Sequence, residues 1–377
     1  MAEDKFLNII AFDVPYPPNY GGICDVFYKL KHLHAQGAKI IYHCFYYEGH
    51  NPPTEELKQY CEELYFYERK KSPLSLLFSS LPYIISSRNN MELLDNLLKN
   101  DYPILFDGIQ CCYYLNHPEI KKRFRIFRAN NIEHAYYAGL AGSEQNSLKR
   151  LYLKREASKL EKFEKKLKGV DAILSVAKMD IPHFEAYGPT HHLPPFFKSS
   201  FVATEVPQNK VQKQVLFQGN LEVKENENAA RYIIGEIAPL TSQKIVIAGK
   251  SPSAALKKLA EGSQNVTLID TPSQEKMEEL IECSQLNLLL TFQQTGIKLK
   301  LLNALESGQH IIINSFMDDS GIFSEMCEVA DGAEDIAKRI DELMDKAFSL
   351  EVKKERHAKF KRYYDNDLNA RKILDLI

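Results

Sequence analysis

Short apolar runs alternate with amphipathic segments along all 377 residues, the rhythm of strand-helix units that assemble into a parallel sheet covered on both faces. In the first half, Phe6–Phe12, Lys39–Phe45, Ile104–Phe106, Phe124–Arg128 and Ala172–Val176 are predicted strands. The second half offers Val215–Gln218, Lys244–Ala248, Val266–Ile269, Leu286–Leu290 and His310–Ile313. Between the two sets, His192-Leu-Pro-Pro-Phe196 and the polar stretch from Thr204 to Gln214 carry proline and no periodic apolar face, which marks a linker. A chain of this length exceeds what one core serves, and no residue-level repeat suggests a solenoid. The pattern predicts two Rossmann-like sheets.

A long helix is expected from about His134 to Lys168, with Leu153, Ala157, Leu160 and Leu167 at helical spacing. Its other face is basic: Lys149, Arg150, Lys154, Arg155, Lys159, Lys162, Lys165, Lys166 and Lys168 outnumber Glu156, Glu161 and Glu164. Glutamate-lysine pairs four apart make this an ordinary solvated face. The excess of positive charge makes residues 148–168 equally a candidate for peripheral contact with anionic lipid, each basic residue contributing about 1 kcal/mol near the surface.

Composition narrows the classes. Apolar residues at 44% and charged residues at 26% describe a folding, water-soluble chain, not a disordered one. A formal charge of -2 provides no general attraction to nucleic acid. Seven cysteines without a CxxC pair do not form a disulfide or zinc framework and fit reduced thiols in the cytoplasm. The charged stretch Met1–Lys5 runs straight into a strand, unlike a secretory signal, and no apolar run suffices to cross a bilayer.

Candidate chemistry lies where strands meet helices. The first strand leads through a proline-rich loop to Gly21 and Gly22, followed by a helical pattern with Asp25 near its start. Two glycines permit close backbone approach, and a helix N-terminus favours an anion, although a tight turn accounts for them equally well. This is neither the GxGxxG fingerprint of dinucleotide enzymes nor a P-loop. Asn130-Asn131-Ile132-Glu133-His134 follows an apolar strand, at the strand end where open parallel sheets collect ligands. Asn131 is also a natural helix cap there. In the second half, Gly219 and Asn220 precede Lys224, and Gly249 precedes Lys250. Either lysine could neutralise phosphate oxygens, while Asn226 is expected to cap a helix starting at Glu227. The most informative segment runs from Thr295 and Gly296 through Lys298, Lys300 and Asn303 to Gly308. Lysines in the first turn of a helix oppose its dipole, an arrangement better explained by a bound anion than by stability.

Taken in order, the Gly21-Gly22 loop, Asn130–His134, Phe217-Gln218-Gly219-Asn220, Ala248-Gly249-Lys250 and Gly296–Ala304 resemble bacterial GT-B glycosyltransferases of the large retaining family, in particular polysaccharide-assembly members. The resemblance spans nearly the whole chain. It implies an α/β GT-B fold with two Rossmann-like parallel-sheet domains facing a cleft: an acceptor-side domain at 1–195, a nucleotide-sugar domain at 196–358, and a tail helix at 359–377 crossing back to the first. By this resemblance Lys224 and Lys300 are diphosphate partners, Asn303 faces the ribose, Ile269 and Asp270 lie near the base, and Glu133 with His134 lines the acceptor side. The implied partners are a nucleoside-diphosphate sugar and a glycan or lipid-linked acceptor, with no cofactor and no metal.

Departures from the family pattern are specific. Thr295 and Asn303 stand where relatives carry two glutamates, and Asn130 and Gln110 where they carry histidine. Glu306, one turn after Asn303, is a candidate substitute for the lost charge or a solvent-face residue. These changes leave two other readings open: a binding or partner protein descended from such enzymes, and a nucleotide-sugar epimerase, which needs acid-base groups on both sugar faces. Asp365-Asn366-Asp367 has the letters of a metal motif but reads as a helix break.

Overall fold

The computed structural model describes residues 5–18, 21–47, 54–70, 79–199, 201, 210–292, 299–318 and 321–377. The chain divides into two compact units, one of residues 1–197 with 364–377, the other of residues 198–294 with 298–363.

Seven parallel strands form the sheet of the first unit: β1 (Phe6–Ala11), β2 (Lys39–Tyr46), β3 (Glu63–Glu68), β4 (Ile104–Asp107), β5 (Arg125–Ala129), β6 (Ala172–Ser175) and β7 (Thr190–His192). Their order is β3-β2-β1-β4-β5-β6-β7, with β1 between β2 and β4 in the registers Asn8↔Ile41 and Asn8↔Ile104. Both faces are covered. Ile10, Phe106, Phe127 and Ile173 pack with Leu160 and Phe163 on one side, while Leu7, Ile9, Leu105, Ile126 and Leu174 pack with Val26, Leu30 and Leu33 on the other. Successive residues of β1 thus serve opposite cores, and the strands read as continuous apolar runs.

The second unit has six parallel strands, β8 (Gln212–Gln218), β9 (Ile245–Gly249), β10 (Val266–Asp270), β11 (Ser284–Leu289), β12 (His310–Ile313) and β13 (Glu328–Val329), in the order β10-β9-β8-β11-β12-β13. Its core joins Val215, Phe217, Ile245, Ile247, Leu286 and Leu288 to Ile233, Ile336 and Ile340. All ten predicted strands are present; β3, β7 and β13, absent from the prediction, are edge strands: β7 (Thr-His-His) and β13 (Glu-Val) lack an apolar run, and the run Leu64-Tyr65-Phe66-Tyr67 of β3 is short and enclosed by Glu63 and Glu68.

Three expectations about elements are corrected. The long helix is two, Glu133–Ser143 and Ser147–Glu164, because Asn146 caps the second by accepting from Leu148 N (3.0 Å) and Lys149 N (3.1 Å). The segment 192–197 is core and not linker: Leu193, Phe196 and Phe197 are buried, and Phe197 N donates to Asn366 Oδ1 at 3.4 Å. Of the expected stretch from Thr204 to Gln214, residues 204–209 lie outside the described residues, and Gln212, Lys213 and Gln214 are not linker but the start of β8. The tail is likewise two helices, Leu350–Tyr363 in the second unit and Asn366–Leu374 in the first, separated where Asp365 caps the latter by accepting from Leu368 N at 2.9 Å. This last helix packs on Gly21–Ala35 through His32–Asp367 (2.8 Å) and Arg371–Gln36 (2.8 Å), and places Ala370, Ile373 and Leu374 in the core.

Candidate functional site

In each sheet the strand order reverses direction beside the first strand, between β1 and β4 and between β8 and β11. Loops after these strands diverge to opposite faces, and the carboxyl ends there are where ligands of such sheets bind.

In the first unit this point is underpinned by four buried charges. Lys29 Nζ lies 2.8 Å from both Asp25 and Asp107, and Arg128 lies 3.0 Å from Asp25. Arg128 also donates to the Leu193 and Pro194 carbonyls, and Phe196 N donates to Asp25 at 2.7 Å. Burial raises the Asp25 carboxyl, but Arg128, Lys29 and the Phe196 N–H outweigh it and bring it down to about 2. Asp107 goes the other way: burial dominates and raises it despite Lys29. Two cations balance two carboxylates, fixing the helix Gly21–Ala35 and the segment 193–196 to the strand ends. Asp25 near the start of its helix and Arg128 at a strand end are legible in the sequence, but nothing local pairs them with Lys29 and Asp107.

Beside this network, Gly108 and Asn130 directly follow β4 and β5. Gly108 has φ +90°, and a Cβ there would lie 2.4 Å from Gln110 Oε1 and 3.3 Å from Asn130 Nδ2, so the glycine lets the two amides close over it. Gln110 Oε1 and Asn130 Oδ1 are buried acceptors with no hydrogen-bond partner among the described residues. They can take protons from hydroxyl groups. Asn131 does not cap the next helix; its amide reaches Glu133 Oε1 at 3.5 Å, and Ile132 holds the cap position. Burial raises the Glu133 carboxyl to about 7, opposed by the Asn131 amide and assisted by the charge of Glu164. His134 Nδ1 contacts Glu164 Oε2 at 2.8 Å. Gly21 begins its helix and Gly22 follows within it.

In the second unit, Lys300, on the helix Leu299–Ser307, extends to the ends of β8 and β11. Its Nζ donates to Asn226 Oδ1 and to the Leu290 carbonyl, both at 3.0 Å, and lies 5.2 Å from the centre of the Phe217 ring. Asn226 is therefore no cap: the helix starts at Lys224, and Asn226 Nδ2 donates to Asn220 O at 3.0 Å. Glu225 accepts from the Thr291 hydroxyl, whose backbone is held by Asn314. Lys224 is exposed and pairs with Glu227 at 3.3 Å. Slight burial raises Glu227, but Ser253, Arg231 and Lys224 outweigh it and hold the carboxyl at about 2.

The remaining candidates are placed less tightly. A Cβ at Gly249 would sit 1.9 Å from the Gly219 carbonyl, and one at Gly219 would sit 3.0 Å from the Asn226 side chain. These glycines serve contact between the strand ends themselves. Asn220 Oδ1 accepts from Glu222 N (3.1 Å), and Lys250 is 3.8 Å from Glu222. Ile269 and Asp270 end the edge strand β10, and Asp270 is engaged by Lys257 at 2.7 Å. Asn303 is exposed on its helix. Glu306 is not on the solvent face: it is buried and accepts from Ser199 at 3.0 Å. Thr295, Gly296 and Lys298 lie outside the described residues.

Comparison with known proteins agrees with this geometry. Residues 212–346 match the family described as Glycosyl transferases group 1. An uncharacterized 44.6 kDa protein in the cps region of Klebsiella pneumoniae is 23% identical over 329 residues, 81% of this chain and 82% of that protein. Among solved structures, WaaG, a glycosyltransferase involved in lipopolysaccharide biosynthesis, is similar with a TM-score of 0.62 and 15% identity over 99% of both chains. A glycosyltransferase from Rickettsia africae gives 0.65 at 10% identity, over 100% of this chain and 98% of the other. Anabaena HepE, in complex with UDP and glucose, gives 0.62 at 10% identity over 99% of both. The fold is GT-B, and residues 212–346 form a group 1 glycosyltransferase domain. Domain and fold together define a glycosyltransferase. Among the described residues, no helix is long and apolar enough to cross a membrane.

Proposed function

We propose that this chain transfers a glycosyl group from a nucleoside-diphosphate sugar to a glycan or lipid-linked acceptor during cell-surface polysaccharide synthesis in the cytoplasm. The donor class is supported by the HepE complex with UDP and glucose, and the pathway class by the cps-region relative and by WaaG. The observation that carries the reading is Lys300, whose ammonium is held by Asn226 and the Leu290 carbonyl at the strand-order reversal of the second unit. As the bond to the anomeric carbon breaks, negative charge grows on the departing diphosphate. A positioned ammonium and helix N–H groups stabilise that charge more than they stabilise the intact donor. Lys224, Lys298 and Gly296 complete the proposed diphosphate surface, Asn303 hydrogen-bonds the ribose, and Ile269 with Asp270 flanks the base. These groups perform the charge neutralisation without a metal.

On the acceptor side, His134, half-buried beside Glu133, offers a ring edge to an incoming hydroxyl, and the carboxamide oxygens of Gln110 and Asn130 accept from neighbouring hydroxyls. The helix Ser147–Glu164 carries the membrane contact, because Leu148 and Leu151 are 80% and 67% exposed among exposed Lys149, Arg150, Lys154 and Arg155. Removing the ammonium tests the central assignment. Lys300→Ala should weaken nucleotide-sugar binding in calorimetry by about 10-fold or more and Lys300→Arg should restore part of it, since a charge-assisted contact contributes about 1.5–3 kcal/mol. Unchanged affinity and turnover in a folded Lys300→Ala protein overturns it.

A further inference from the structure

Three side chains from separate elements of the first unit meet at one oxygen. Glu164, at the end of the helix Ser147–Glu164, places Oε2 at 2.8 Å from His134 Nδ1 and at 3.0 Å from His183 Nε2. One nitrogen or oxygen from each residue lies within 4.8 Å of the other two. The imidazole centroids are 5.4 Å apart with planes tilted by 44°, so the rings do not stack on each other. His183 is oriented edge-on by Phe184 and Tyr187, with centroids at 5.0 and 5.6 Å.

The environment of the carboxylate is unusual for a merely structural hydrogen bond. Glu164 is 1% exposed, while the histidines at 26% and 28% open the cluster to solvent on one side. Its contacts are two imidazoles and the His134 N–H, 3.4 Å from Oε1. A buried carboxylate requires a countercharge. Lys165, Lys166 and Lys168, which follow it in sequence, are exposed. Two imidazole nitrogens and one carboxylate oxygen form the donor set of three-ligand zinc sites, in which water completes the tetrahedron. Nitrogen donors also select first-row transition ions over magnesium and calcium.

We propose that His134, Glu164 and His183 bind a divalent first-row cation, with zinc as the probe ion. The ion replaces two imidazole-carboxylate hydrogen bonds by three coordinate bonds and supplies the charge that Glu164 needs. It ties the start of the helix Glu133–Ser143 to the end of the helix Ser147–Glu164 and to the short helix Ile181–Phe184. Ligation through Nδ1 leaves Nε2 of His134 outside the donor set, so this site and the acceptor role of that ring are compatible, and neither depends on the other.

The full chain, stripped with a chelator, is titrated with zinc chloride by calorimetry and with cobalt(II) by visible absorption, without donor or acceptor. One equivalent of zinc should bind saturably, cobalt should give the intense bands of a low-coordinate site, and zinc should raise the Tm. His183→Asn, at a partly exposed position that the fold tolerates, and Glu164→Gln should each weaken binding at least about tenfold. His191→Asn, an exposed histidine on β7, should leave it unchanged. Absence of saturable binding to the wild-type chain, or binding and Tm shift retained in folded His183→Asn, overturns the site. Because no nucleotide enters the assay, its failure leaves the transferase reading untouched.

Discussion

His43 shows how much a single buried side chain can govern. It is fully buried on β2, between Tyr67 Oη at 2.9 Å and Asn8 Oδ1 at 3.1 Å, with Asn96 donating to the same tyrosine and Asn8 donating to Asn100. The chain of donors is satisfied by a neutral ring carrying its proton on Nε2. Burial, with Arg123 and Lys99 adding to it, pushes His43 down to about 3 from its ordinary 6.5. Between those values the unfolded state binds a proton that the folded state does not, so stability falls as pH drops below about 6.5. Denaturant midpoints of the first unit should show His43 contributing a loss of about 1.5 kcal/mol between pH 6.5 and 5, and His43→Gln should flatten the profile by that amount. Parallel profiles contradict this. At the same scale, site residues were unevenly legible. Lys300 stood out because a lysine in a helix's first turn needs an electrostatic reason. Gly219 and Gly249 were visible as glycines, yet only coordinates reveal that each accommodates the chain itself. Lys29 and Asp107, as well as Glu164 and His183, are paired only by the fold.

Elements followed the apolar pattern closely where strands are buried on both faces and poorly where they are not. The sheet-centre strands appear within about one to three residues of their predicted ends, whereas the edge strand Glu63–Glu68 has charged ends around a run of only four apolar or aromatic residues. Helix length was overestimated because the apolar spacing that predicts the helix, from Leu153 to Leu167, lies wholly beyond residues 144–146, while the break is set by the Asn146 cap that a periodicity reading ignores. That break matters: it starts a second helix with Leu148 and Leu151 turned to water. Two exposed leucines three residues apart among basic residues favour the interface of an anionic bilayer, with apolar burial adding to charge attraction. Leu148→Glu/Leu151→Glu should reduce co-sedimentation with phosphatidylglycerol vesicles by about tenfold or more while leaving donor binding intact. Equal partitioning of both proteins removes the membrane role.

At the scale of the whole molecule, the first unit is closed by residues from both ends of the chain. Lys5 donates to the Leu374 carbonyl at 2.5 Å, and Ile373 and Leu374 occupy the same core as Leu7 and Ile9. Burial of each of these two side chains contributes about 1.5–3 kcal/mol. Deleting residues 366–377 should therefore lower the Tm of the first unit by on the order of 10 °C, with the unfolding of the second unit little changed. A single unaltered transition contradicts this. The two-sheet plan was legible from alternation alone, and the break in the tail was legible at Asp365-Asn366-Asp367, which reads as a helix break and separates Leu350–Tyr363 from Asn366–Leu374. A chain emerging from the ribosome can assemble the second unit from contiguous residues, yet must hold the first open until residues 364–377 have been made. A chain cut short before residue 364 would therefore carry a finished second unit and an incomplete first, a natural substrate for chaperones and proteases.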